Sequence, residues 1–199
     1  MPTLSLTDLV DIVLASGTPK MTKVRQVKHR APYLPSTDYY RRLREGIIAC
    51  HEAGHAKADL HGHVGLVNEP SKATNYPLLE CGYAKWWGTK ALGWFRPPTG
   101  TYSAHGVDVR VNPELGLSVS GRAHIIKLYF KAPELPKNRA DIITEVMNSR
   151  LGRASPAGTI FGVLDVRRAK LVTPTVPIPG LSGALKAELA YVAALWPTV

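Results

Sequence analysis

Residues 107–132 read VDVRVNPELGLSVSGRAHIIKLYFKA, and this stretch decides the fold class. Branched apolar residues alternate with polar ones on both sides of Ser120-Gly121, a pair typical of a tight turn. The pattern predicts strands joined as a β-hairpin. Because side chains alternate along a strand, Lys127, Tyr129 and Lys131 are expected on one face of the second strand.

The flanking segments predict helices around this hairpin. Ala140, Ile143, Met147 and Leu151 recur at helical spacing, and Gly152 follows them as a stop signal. A second helix is expected over residues 75–88, before the hairpin, and a buried strand over residues 158–166. This order predicts an α/β (α+β) fold with a mixed sheet of about four to five strands flanked by helices.

The length of 199 residues favours one domain spanning residues 1–199. We expect a helical N-terminal part (1–70), an α/β core (74–172), and a proline-rich connector with a C-terminal helix (173–199). Within the N-terminal part, residues 23–30 are expected to form a short strand or an extended arm. Residues 39–60 are expected to form one long helix.

Composition bounds the cellular setting. Asp8 and Asp11 interrupt the first apolar run, which argues against a secretory signal, and no run is long enough for a membrane span. Two cysteines, Cys50 and Cys81, are too few for a disulfide framework. We therefore expect a cytoplasmic protein without a membrane partner.

The net charge of +10 favours a polyanionic partner, of which nucleic acid is the commonest. Eight basic residues and one acid lie between Lys20 and Arg44. Other basic residues lie at the start of the helix expected after the hairpin and at the end of the following strand. The candidate nucleic-acid contacts are Lys20, Lys23, Arg25, Lys28, Arg30, Arg41, Arg42, Lys137, Arg139, Arg167 and Arg168.

Residues 74–172 resemble the restriction-endonuclease-like, or PD-(D/E)XK, nuclease superfamily. The resemblance rests on the order helix, hairpin, helix, strand and on Pro113-Glu114 preceding a lysine-bearing strand. It implies a Mg²⁺ or Mn²⁺ site at Glu114, with Lys131 as the catalytic lysine and Lys127 on the same face.

Tyr129 stands where this superfamily has a second acid, two residues before the lysine. Glu80, Glu134 or Asp165 could supply the missing carboxylate. The resemblance therefore leaves two functions open: metal-dependent cleavage of nucleic acid, and binding by a catalytically degraded form.

A second pattern, HEAGH at residues 51–55, resembles the H-E-x-x-H motif of zinc peptidases. On a helix, His51 and His55 would face one metal, and Glu52 would act as the general base. His61 follows at the spacing of a third ligand. This alternative predicts a Zn²⁺-dependent hydrolase. If no metal binds there, His51 instead continues an apolar stripe into the core. A third hypothesis is a non-enzymatic interaction protein.

Overall fold

A computed structural model of the protein describes residues 1–65, 68–174 and 176–199. These residues form seven α-helices and eight strands, which confirms the α+β class with mixed sheets and flanking helices. The helices are α1 (Leu6–Val13), α2 (Gly17–Lys28), α3 (Arg41–Glu52), α4 (Leu60–Val64), α5 (Pro70–Trp87), α6 (Lys137–Leu151) and α7 (Leu181–Leu195). The strands are β1 (Thr3–Ser5), β2 (Leu92–Phe95), β3 (Gly100–Ala104), β4 (Val107–Val111), β5 (Leu115–Val119), β6 (Arg122–Tyr129), β7 (Ile160–Asp165) and β8 (Lys170–Val172).

The larger sheet has five strands in the order β2-β5-β6-β7-β8. Strands β5 and β6 form the expected hairpin, in which Val119 pairs with Arg122 across a two-residue turn. Ser120 and Gly121 both have positive φ, as a tight hairpin turn requires. Strand β7 lies parallel to β6, and α6 connects the two.

A smaller sheet has three strands in the order β1-β4-β3. The first strand of the hairpin was expected to include residues 107–119, but residues 107–111 form the separate strand β4, which pairs with β3 and β1. Pro113 lacks a backbone N–H and lies between β4 and β5, where the chain passes from one sheet to the other.

The larger sheet separates two apolar clusters. Along β6, Ile125 and Tyr129 face the cluster that includes α1, α6, α7 and the smaller sheet. Ile126 and Leu128, on the opposite face, pack with α3, α4 and α5. Since α1 and α3 lie in different clusters, the N-terminal helices cover both faces of the sheet.

Two local expectations in the N-terminal part were wrong. Residues 23–30, expected as a strand or an extended arm, lie in α2 as far as Lys28. The long helix expected over residues 39–60 ends at Glu52. Within the described residues, no helix combines the length and the apolar character needed to cross a membrane.

Candidate functional site

The β5–β6 hairpin places Glu114 beside Lys127. Leu115 pairs with Ile126, so Glu114, one residue earlier, lies level with Lys127. Glu114 Oε1 accepts a hydrogen bond from Lys127 Nζ at 2.6 Å. Its Oε2 accepts one from the backbone N–H of Leu128 at 2.8 Å. Only 10% of the Glu114 side chain and 15% of the Lys127 side chain are exposed, so solvent screens this ion pair weakly.

A cavity of about 310 Å³ opens beside this ion pair. Its wall combines residues from α1, from the segment before α3, from α3 itself, from the β5–β6 hairpin and from α6. The charged residues of the wall are Asp38, Arg44, Glu114, Lys127, Lys131 and Arg139. Cations therefore outnumber carboxylates by two, in a concave site where apolar walls strengthen the electric field.

Asp38 and Arg44 form a second ion pair in the wall. Arg44 Nη2 donates to Asp38 Oδ2 at 2.7 Å, and the backbone N–H of Tyr40 donates to Oδ1 at 3.2 Å. Burial raises the pKa of Asp38, but the charge of Arg44 and the hydrogen bonds from Arg44, Tyr33 and Tyr40 together outweigh it, so this pKa lies below its usual value. Burial lowers the pKa of Arg44, and Asp38 together with Glu114 raises it above the usual value.

The remaining two cations of the wall differ in their partners. Arg139 Nη2 contacts Asp11 Oδ1 at 2.5 Å, which ties α6 to α1. Lys131 is exposed and forms no ion pair within the described parts of the chain. Lys131 is therefore the wall cation most available to an incoming anion.

The structure changes the roles expected of the two lysines. Lys131 was expected to close the second strand as the catalytic lysine, but β6 ends at Tyr129 and Lys131 lies beyond it. Lys127 makes the contact with Glu114 instead. The residue two positions before Lys127 is Ile125, which is fully buried in the core. Neither lysine therefore has an acid at the expected spacing.

The three carboxylates considered as substitutes lie outside the cavity wall. Glu80 contacts His61 at 2.8 Å, between α5 and α4. Asp165 is buried and accepts a hydrogen bond from the backbone N–H of Leu135 at 3.0 Å. Glu134 lies in the exposed segment between β6 and α6. None of them supplies a second acid beside Glu114.

The residues at Glu114 do not fit the implied Mg²⁺ or Mn²⁺ site. Both carboxylate oxygens already accept hydrogen bonds, one of them from a charged lysine. A divalent cation at Glu114 would also meet the positive charge of Lys127 at close range. Across residues 1–65, 68–174 and 176–199, no three His, Cys, Asp or Glu side chains come together as a metal site.

Several predicted nucleic-acid contacts join structural elements. Lys20 pairs with Glu188 of α7 at 2.7 Å. Lys28 donates to the carbonyl oxygen of Trp196 at 2.7 Å, at the chain's C-terminal end. Arg42 donates through Nε to the last carbonyl of α4 at 2.8 Å. These contacts hold helices together. Part of the excess of basic over acidic residues therefore has a structural role.

Other predicted contacts keep much of their exposure. Arg30 forms a two-point ion pair with Asp8, at 2.6 and 3.1 Å, yet 55% of its side chain is exposed. Arg41 and Lys137 each pair with a carboxylate four residues later in the same helix. Surface pairs of this kind are weak, so an anion can compete for these cations.

The last predicted contacts are divided between α2 and the end of β7. Lys23 and Arg25 are exposed on α2. Arg167 Nη2 donates to Asn75 Oδ1 at 3.1 Å, while Arg168 is held by buried Asp165. None of these four basic residues lines the cavity.

The HEAGH stretch does not form one helical face. Helix α3 ends at Glu52, and Gly54 has a φ of +67°, which turns the chain before His55. The expected placement of His51 and His55 on adjacent turns of one helix is therefore wrong. Glu52 is exposed at the helix end.

Each histidine of this stretch has a separate partner. His51 is buried, with Nε2 at 2.6 Å from the Tyr83 hydroxyl, and burial lowers its pKa to about 4. His55 Nδ1 lies 2.7 Å from His63 Nε2 at the surface. His61 contacts a carboxylate of α5. The described residues thus do not assemble the predicted zinc ligands.

Comparison with known proteins identifies no relative of this chain. The chain matches no protein-family model. No curated protein and no solved structure matches it significantly. We therefore infer a function from the geometry of the cavity.

Proposed function

We propose that this protein binds nucleic acid, with a phosphate of the strand entering the cavity beside Glu114 and Lys127. The observation that carries the proposal is the cavity wall, in which four cations and two carboxylates surround a space of about 310 Å³. Phosphodiesters carry one negative charge per nucleotide, so such a wall attracts them without reading sequence.

The order of elements along the chain supports a nuclease-like core. Helix α5 precedes the β5–β6 hairpin, α6 follows it, and β7 returns parallel to β6. This is the order on which the resemblance to the PD-(D/E)XK superfamily depends. Glu114, the acid that the resemblance assigns, contacts Lys127 on the second strand of the hairpin.

Binding suits the charges better than cleavage does. Metal-dependent cleavage needs carboxylates free to hold the cation against the phosphate. Both Glu114 oxygens are engaged, and no second acid lies at the expected spacing. Arg44 and Lys131 remain as phosphate donors, since a guanidinium in an ion pair still has N–H groups to offer. We therefore propose a binding form without cleavage.

The proposal includes a cytoplasmic location. Cys50 is buried and Cys81 is exposed, and both are free thiols. Free thiols are common in a reducing compartment, where nucleic acid is also accessible.

Binding is tested by fluorescence anisotropy with labelled oligonucleotides over a series of salt concentrations. We expect Lys131→Gln to weaken binding by up to about tenfold at 0.1 M salt and to reduce the log–log salt slope by about 1. Lys186→Gln is the matched control, because Lys186 is exposed on α7, away from the cavity. No binding at low salt, or equal losses in the two variants, contradicts the proposal.

Cleavage is tested separately, with Mg²⁺ or Mn²⁺ and a labelled strand. We expect no cleavage above the protein-free rate. We also expect Glu114→Gln to bind at least as tightly as the unaltered protein, because it removes a negative charge from the wall. Metal-dependent cleavage that disappears in Glu114→Gln would instead assign a nuclease.

A further inference from the structure

We infer that the strand bound at the cavity is single-stranded, and that the exposed ring of Tyr33 stacks on one of its unpaired bases. This inference rests on the proposed function and names its substrate class. It also assigns a contact to a residue that the sequence pattern did not single out.

Tyr33 is fixed beside the cavity by a hydrogen bond. Its hydroxyl donates to Asp38 Oδ2 at 3.0 Å. The same oxygen accepts the hydrogen bond of Arg44, so the ring and two charged wall residues form one connected group. A base next to a phosphate held at Arg44 would therefore lie within reach of the ring.

The ring is exposed to an extent that packing does not explain. Tyr33 is 64% exposed, more than any other aromatic side chain in the described ranges, and neighbouring Leu34 is 56% exposed. Pro32 and Pro35 flank this pair and restrict the backbone on both sides. The pair is thus a contiguous, exposed apolar surface beside a charged cavity, which an apolar face of a ligand can cover.

An exposed aromatic ring next to phosphate-binding cations is the arrangement that single-stranded nucleic acid requires. Each base offers a flat face for stacking once it leaves the duplex, and cations hold the backbone on either side. A duplex keeps its bases stacked on one another and offers Tyr33 no face. The combination of Tyr33 with Arg44 and Lys131 therefore favours a single strand or an unpaired end.

The experiment measures the affinity of the full chain for a labelled single-stranded oligonucleotide, for the same strand with one abasic position at successive sites, and for the duplex. We expect Tyr33→Ala to weaken single-strand binding by about tenfold, with an unchanged salt slope, because a base–aromatic stack carries no charge. Tyr33→Phe keeps the stacking ring but loses the hydrogen bond that holds it at Asp38, so its affinity should lie between those of Tyr33→Ala and the unaltered protein.

Tyr191→Ala is the matched control, because Tyr191 is 39% exposed on α7, outside the cavity wall. An abasic position at the stacked base should weaken the unaltered protein but not Tyr33→Ala, since the contact is already lost. If the unaltered protein binds and Tyr33→Ala binds single strands equally well, the inference fails and the proposed function stands. If the unaltered protein binds neither single strands nor duplex, both fail.

Discussion

The buried histidine of the HEAGH stretch makes the fold sensitive to acid. His51 is 4% exposed, stacks on Trp87 with 4.4 Å between ring centroids, and contacts the Tyr83 hydroxyl. Burial raises the pKa of Tyr83 well above its usual value, so this hydroxyl keeps its proton and forms a hydrogen bond with neutral His51. Protonation of His51 would place a charge in this buried cluster of aromatic rings.

The difference between the pKa of His51 in the folded and in the unfolded chain sets the size of the stability loss. The pKa of His51 is about 4 in the folded protein against 6.5 for an ordinary histidine. Between these values the unfolded chain binds a proton that the folded chain does not, so stability is full above pH 6.5 and falls as the pH drops toward 4. At about 1.4 kcal/mol per pH unit, the loss is about 2.5 kcal/mol by pH 4.5 and about 3.5 kcal/mol in all.

Urea unfolding followed by tryptophan fluorescence at pH 7.5, 6.0, 5.0 and 4.5 measures this loss. His51→Gln keeps an acceptor for Tyr83 but does not titrate, so its free energy of unfolding should fall by about 2.5 kcal/mol less than that of the unaltered protein. His105→Gln, at an exposed position in the β3–β4 turn, is the control and should follow the unaltered protein. Parallel curves for His51→Gln and the unaltered protein would refute the reasoning.

Two further predictions concern stability. A Cβ at Gly82 would lie 2.1 Å from the Val166 carbonyl oxygen, so Gly82→Ala should lower the free energy of unfolding by about 1–3 kcal/mol or more. A Cβ at Gly183 would meet open space, so Gly183→Ala should leave the free energy of unfolding unchanged or raise it by up to about 1 kcal/mol in urea unfolding. Equal effects of Gly82→Ala and Gly183→Ala would contradict the packing explanation. Asp8 completes the capping box of α1 and pairs with half-exposed Arg30. Asp8→Ala should therefore lower the free energy of unfolding by about 1–2 kcal/mol. An unchanged urea midpoint would show that neither contact stabilises the helix.

The core of the fold was predictable because its periodicity is strong. The helix expected after the hairpin is α6, since apolar positions recur at helical spacing and Gly152 follows its last residue. The β5–β6 hairpin was predictable from alternation and the Ser120-Gly121 turn. Helix α2 was not, because Val24 is its one buried residue and contacts with α7 hold it in place.

The candidate site was predictable only where it is local in sequence. Glu114 and Lys127 meet because the hairpin register puts them side by side, and the sequence contains that register. Asp38 and Arg44 reach the same cavity only through packing of α3 against the sheet, which no local pattern encodes. Lys131 was expected to close the second strand, but β6 ends at Tyr129, because strand ends are set by tertiary contacts.

The central claim is that nucleic acid binds at the cavity beside Glu114 and Lys127. NMR of the ¹⁵N-labelled full chain tests it most directly, with a short phosphorothioate single strand added stepwise in the absence of divalent cations. We expect the largest chemical-shift changes at the backbone amides of Leu128 and Lys131 and around Tyr33, and these changes should saturate together. Saturable changes confined to α7 or to the connector before it, with no shift of the Leu128 amide, would contradict binding at the cavity.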